Sequence, residues 1–106
     1  MARLIVKCGG AELITHELVG DVIMIGRSPR NHIVIDHPTV SAQHAILARV
    51  GDSYRLKDLH STNGTQINGI SITDTELKYG DKIRFGSTVA IFWGIVSQEL
   101  IKQIRV

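Results

Sequence analysis

The residues best equipped for chemistry crowd into one polar stretch, His60-Ser61-Thr62-Asn63-Gly64-Thr65, followed at once by Gln66-Ile67-Asn68-Gly69. The stretch holds two Asn-Gly pairs five positions apart. Each alone signals a tight type I′ hairpin turn. Both cannot be turns of one meander, because the strand between them would have only about three residues, at the short limit for a strand. One pair therefore belongs to a shaped loop. Asn and Gly reach positive φ at low cost, so such a loop presents backbone N–H groups and an Asn amide outward. An amide carries both a donor and an acceptor, the pattern needed to grip another chain's backbone. A plain chain reversal at Asn63-Gly64 would use the same two residues, and local pattern does not separate the two readings.

Other residues supply the types needed for catalysis or metal binding, but not the arrangement. Ser41, His44 and Asp58 are the residue types of a hydrolase triad. Ser41 and His44 lie three apart at the entry to a strand, a spacing that directs them to opposite faces, and no Gly-x-Ser-x-Gly elbow occurs. No catalytic residue is expected. His32 and His37 flank a short apolar run without a Cys pair or a His-Glu-x-x-His motif, so they read as surface histidines and no metal is expected. Gly9-Gly10 is too sparse for a nucleotide loop, and no cofactor is expected.

The elements that would carry these residues are short apolar runs separated by turn signals. Runs are predicted over Ala2–Cys8, Ala11–Leu18, Asp21–Gly26, Ile33–Ile35, His44–Val50, Tyr54–Leu59, Ile70–Ile72, Lys82–Phe85 and Val89–Trp93. Gly9-Gly10, Gly20-Asp21, Gly51-Asp52, Gly80-Asp81 and Gly86-Ser87 punctuate them. Strands of this length and spacing predict an all-β sandwich or barrel. Between the strands, Ser28–His32 and Asp36–Ser41 are long and polar for simple connections. At the end, Val96, Leu100, Ile101 and Ile104 recur at helical spacing. That pattern predicts a short C-terminal helix, with a strand over Ile101–Val106 as the alternative. With 106 residues and no linker-like composition, the chain is read as one domain over 1–106, with its core over about 4–94 and a tail over 95–106.

Composition narrows the partners. Twelve Lys and Arg against ten Asp and Glu, without a basic run, argue against a nucleic-acid tract. One cysteine excludes an internal disulfide framework. No apolar stretch is long enough to span a bilayer, and the start lacks a secretory signal pattern. The expected location is cytoplasmic, or the cytosolic face of a larger protein.

Four fragments in order and at matching spacing resemble one known family. These are Gly26-Arg27-Ser28, then Val40-Ser41-Ala42-Gln43-His44-Ala45, then Ser61 to Thr65 with Asn68-Gly69, then Gly80-Asp81 with Ile83, Phe85 and Gly86. The family is the forkhead-associated (FHA) domain, and the likeness runs from about Leu4 to Trp93. The resemblance implies an eleven-stranded β-sandwich of the FHA/SMAD type that binds phosphothreonine peptides on loops at one end. It implies that Arg27 contacts the phosphate, Ser41 donates its hydroxyl to it, Thr62 lies in the loop completing the site and Asn63 bonds the peptide backbone. Gly26, His44, Gly64, Asn68 and Gly69 match positions that shape the fold, with His44 tying the loops together. In many members the residue after the loop serine adds a phosphate contact; here it is Ala42. Arg30 is the candidate to compensate.

Phosphate chemistry suits these residue types. A phosphothreonine carries roughly −1.5 to −2 charges at neutral pH, and an Arg fork is the apt partner. Charge-assisted hydrogen bonds contribute about 1.5–3 kcal/mol each. Two or three, less association costs, give micromolar binding, around −8 kcal/mol. Preference for threonine over serine rests on one methyl group, about 1 kcal/mol. The expected partner is a phosphothreonine-containing protein, which implies an upstream Ser/Thr kinase. The alternative is a phosphate-independent assembly module using the sandwich faces or edges; it has no need of Arg27, Ser41, Thr62 and Asn63 together.

Overall fold

The computed structural model describes residues 2–10 and 12–94. Eleven strands follow one another: β1 (Ala2–Cys8), β2 (Glu12–Glu17), β3 (Val22–Gly26), β4 (Ile33–Val34), β5 (Ala45–Val50), β6 (Ser53–Asp58), β7 (Thr65–Ile67), β8 (Ile70–Ile72), β9 (Asp74–Glu76), β10 (Lys82–Phe85) and β11 (Thr88–Gly94). They form a six-stranded sheet, β2-β1-β11-β10-β7-β8, and a five-stranded sheet, β4-β3-β5-β6-β9. The all-β, eleven-stranded expectation holds. The C-terminal helix expected within 95–106 lies outside the described residues.

Alternation builds the core. Leu4 and Val6 of β1, Ile25 of β3, Leu47 of β5, Leu56 of β6, and Ile83 and Phe85 of β10 point between the sheets and are almost wholly buried. Their odd-numbered or even-numbered neighbours face out, as the two-residue period of a strand requires. Phe92 packs edge-on against Tyr54, with centroids 5.6 Å apart, and closes one end. Phe85 closes the other against the ring of His44, at 5.8 Å and 89°. A core of mostly Leu, Ile and Val thus gains two aromatic pairs worth about 0.5–1.5 kcal/mol each beyond area burial.

Two strands, β7 and β9, were not legible as separate runs. β7 (Thr65-Gln66-Ile67) continues the polar loop stretch, and β9 (Asp74-Thr75-Glu76) has no apolar residue, so neither stands out as an apolar run. β4 is also unusual: it pairs parallel to β3, Ile25 opposite Ile33 and Gly26 opposite Val34. The chain must therefore loop back through Arg27–His32 to start a strand in the same direction. That reversal is why this connection is long. It also places Arg27 at the same pole as the β4–β5 loop, the β6–β7 loop and the β10–β11 turn.

Candidate functional site

The three long loops are held to one another by backbone bonds before any side chain is considered. Arg27 N–H donates to Ser41 O at 2.9 Å and Ser28 N–H to Ala42 O at 3.2 Å. These bonds lay the start of the β3–β4 loop along the end of the β4–β5 loop. Gly26 makes the approach feasible, because a Cβ there would collide with the Ala42 carbonyl and the Asn31 amide. Asn31 braces the same joint. Its Nδ2 donates to Ser28 O at 2.9 Å and to Ala42 O at 2.7 Å, and the residue is buried.

His44 connects the second loop to the third. Its Nδ1 accepts the Ser41 N–H at 3.0 Å. With Nδ1 accepting, the ring proton sits on Nε2, which faces Gly64 O at 2.9 Å. The ring is fully buried. Asp58, at the end of β6, organises the third loop from inside. Its Oδ1 accepts from the Ser61 hydroxyl at 2.5 Å and from Thr65 Oγ1 at 2.7 Å, and its Oδ2 accepts the Ser61 N–H at 3.1 Å. Ser61 Oγ in turn accepts the Gly64 N–H at 3.0 Å. Burial alone would raise the Asp58 carboxyl. The hydrogen bonds from Ser61 and Thr65, together with the nearby His44, outweigh it and hold the group below the usual carboxylate range.

This wiring settles the role of the triad-like residues. His44 and Asp58 come near each other, while Ser41 meets the His44 ring through its backbone N–H and its hydroxyl is bonded by Thr62 N–H. His44 Nε2 is 3.9 Å from Asp58 Oδ1. Yet the ring's accepting nitrogen is taken by the Ser41 backbone, not its hydroxyl. A base that is already occupied by a main-chain N–H does not activate that serine.

The side chains singled out in the sequence converge at this pole. Ser41 Oγ accepts the Thr62 N–H at 3.0 Å, so its own proton is left to point elsewhere. Asn63 Nδ2 donates to Thr39 O at 2.8 Å. Arg27 and Arg30 are exposed; Arg30 N–H bonds the Ser28 hydroxyl at 3.3 Å, and neither guanidinium has an acid partner among the described residues. Ala42 turns its carbonyl inward to the Ser28–Asn31 brace, and its exposed methyl offers no donor. Gly64 holds φ at +84°, which only glycine adopts without strain. Of the two Asn-Gly pairs, Asn63-Gly64 lies in the shaped loop. Asn68-Gly69, with φ of 51° and 85°, makes the β7–β8 hairpin turn. Asn68 also binds the β9–β10 turn, Nδ2 to Asp81 Oδ1 and Oδ1 from the Lys82 N–H, both at 3.0 Å.

Asn31 and Thr39 escaped the sequence, and Asp58 was named there only as a triad type. Asp58 carries a local signal, a carboxylate three residues before a serine that it caps. Asn31 carries none, since its partners are eleven and three residues away. Thr39 carries none either: its Oγ1 accepts the Ser87 N–H at 2.9 Å and stands 2.8 Å from His37 Nδ1, fixing the β10–β11 turn beside Asn63. His32, on the other side, accepts the Met24 N–H through Nδ1 at 2.9 Å.

The fold and this pole define a class: a β-sandwich that presents an exposed arginine with no acid partner among the described residues, a hydroxyl and loop amides on hydrogen-bonded loops. The FHA domain model matches residues 23–86, and the chain belongs to the FHA domain family. The oxoglutarate dehydrogenase inhibitor of Corynebacterium jeikeium is 35% identical over 91 residues, covering 86% of this chain and 63% of that protein. The FhaA FHA domain, solved in complex with the intracellular domain of Rv3910, superposes with a TM-score of 0.79 at 29% identity, covering 87% of this chain and 99% of that one. An FHA structure from a study of phosphothreonine-dependent FHA domain interactions gives 0.80 at 27% identity, covering 91% and 98%. The chain spans 63%, 9% and 47% of the lengths of three curated relatives it matches, less than two thirds of each.

Proposed function

We propose that the loop pole binds a phosphothreonine-containing peptide, with Arg27 and Ser41 on the phosphate, Thr62 completing the pocket and Asn63 on the peptide backbone. The observation that supports this reading is the joint between Arg27 and Ser41: the 2.9 Å bond from Arg27 N–H to Ser41 O joins the backbone of an exposed arginine, which has no acid partner among the described residues, to that of a serine whose hydroxyl proton is left free by its bond from Thr62 N–H. Both sit on backbone that is braced from below, so little ordering cost falls on binding. A dianionic phosphate needs such a fixed cation and donor pair. Ala42 leaves the pocket one donor short of many relatives, and affinity in the micromolar range, about −8 kcal/mol, is expected. Family membership supports the reading.

Residues 1–106 act as one binding domain in this account, without catalysis, and the phosphate on the target comes from an upstream Ser/Thr kinase. The target then lies where kinases act, in the cytoplasm or on the cytosolic side of a larger assembly. Among the described residues no helix is long and apolar enough to cross a membrane. Adding a phosphothreonine peptide pool to isotopically labelled protein tests the site: amide shifts should concentrate at Gly26–Ser28, Ser41 and Thr62–Gly64. Shifts confined to the opposite pole would contradict it.

A further inference from the structure

The outer face of the six-stranded sheet does not follow the usual rule for a solvated antiparallel face, apolar in and polar out. In β1 and β11 the inward positions are Leu4, Val6, Ala90 and Phe92. The outward positions are also largely apolar. Ile5 lies directly opposite Ile91, and Arg3 opposite Trp93. Ile91 is 41% exposed, and Trp93, the single tryptophan, is 51% exposed. Cations frame this strip. Lys82 lies opposite Ile91 and Arg84 opposite Val89 on the neighbouring strand, and Lys7 extends β1 beyond Ile5. Gln66, opposite Arg84, lines an open depression with Lys82 and Arg84 beside the strip. Glu17, on β2 opposite Arg3, is paired with it at 3.3 Å.

We propose that this face, with Ile5, Ile91 and Trp93 at its centre and Lys7, Lys82 and Arg84 at its rim, docks an acidic amphipathic helix of a partner protein, independently of phosphate. Charge decides the occupant. A second copy of the same face would set cations against cations. The chain's own segment 95–106 has helical apolar spacing but carries one acid, Glu99, against two bases, Lys102 and Arg105, so its flanks have the wrong sign. A bilayer is a poor fit because the side chains stand on a flat sheet. The apolar strip is carried on strands, with no protruding loop or amphipathic helix to lie in the lipid interface. A helix whose aliphatic stripe is flanked by Asp or Glu meets both requirements: the stripe covers Ile5 and Ile91, and the flanks reach the rim. Strands about 4.8 Å apart make the strip and its rim as wide as one helix.

Trp93 provides the readout, since its emission reports on this face alone. The probe is an unphosphorylated synthetic helix of about 15 residues, long enough to be helical on a surface, with a Leu stripe flanked by Glu and no aromatic residue. The expected result is a saturable blue shift of Trp93 emission, weakened at least tenfold by Lys82→Glu with Arg84→Glu, while phosphothreonine peptide affinity of that variant stays unchanged. If the reversed pair lowers the thermal midpoint, Lys82→Gln with Arg84→Gln replaces it, with a loss of several-fold expected. No emission change with the Glu helix overturns the proposal. So does an equal shift with a Lys-flanked twin, a shift only with phosphatidylserine vesicles, or self-association that buries Trp93. Each of these leaves the phosphopeptide reading standing.

Discussion

The Ser41 hydroxyl accepts the Thr62 N–H at 3.0 Å, and this one bond makes the serine both a brace and a donor. Its lone pair holds the third loop against the second, which frees its proton for an outside acceptor. Ser41→Ala removes both. The expected outcome is a loss of phosphopeptide affinity of about tenfold, one charge-assisted hydrogen bond, with a small drop in thermal midpoint because Thr62 is exposed. Calorimetric titration and a melting curve on the same sample separate the two effects.

His44 should matter to both stability and binding, without touching ligand. Its buried ring joins Ser41 N–H to Gly64 O and packs edge-on to Phe85. His44→Ala leaves a cavity and two unpartnered backbone groups, and a loss of about 3 kcal/mol is expected in urea unfolding. Unchanged stability would show that the loops do not depend on it.

Asp58 predicts an acid-side stability change. Its folded-state carboxyl is held below the ordinary value of 3.8, so its contribution is fully present above the unfolded value and is lost as pH falls through the lower, folded one. Asp58→Asn should be less stable than the parent at neutral pH, and the gap should narrow as the pH drops below about 4. Urea midpoints from pH 2 to 6 test this; a gap that stays constant would remove the carboxylate from the argument.

Much of this was legible in the sequence, for reasons that differ by residue. The legible strands show because each is an apolar run or an alternation bounded by turn signals: Val22–Ile25 is continuously apolar, and Lys82–Phe85 alternates. β7 and β9 do not, because Thr65-Gln66-Ile67 continues a polar loop stretch and Asp74-Thr75-Glu76 has no apolar residue, whereas the equally short Ile70–Ile72 shows by its isoleucines. That one Asn-Gly pair sits in a shaped loop shows because the two pairs stand too close for both to be hairpin turns; local pattern did not say which. Asn31 and Thr39 were invisible because their value lies in contacts to Ala42 and Ser87, which only the folded chain brings near. Ser41 and His44 were expected to diverge in their side chains on strand geometry, and the contact between them is made by the Ser41 backbone N–H, which side-chain alternation does not address.

Ala42 marks the place where affinity can be raised. Its methyl is exposed while its carbonyl is committed to Ser28 and Asn31, so a longer side chain costs little backbone change. Ala42→Arg should strengthen phosphopeptide binding about three- to tenfold, the range of one partly exposed charge pair. The gain should shrink in high salt. No gain at any salt would place the phosphate away from this residue.

The central claim is phosphate-dependent recognition at the Arg27 and Ser41 joint. The direct measurement is a titration of a degenerate phosphothreonine peptide pool against its unphosphorylated twin, repeated with Arg27→Ala and at pH values either side of the second phosphate ionisation near pH 6. Binding is expected to the phosphorylated pool only, with loss of most of it in Arg27→Ala at an unchanged thermal midpoint, and weaker binding below about pH 6. Equal binding to both pools, or binding to neither, would contradict it.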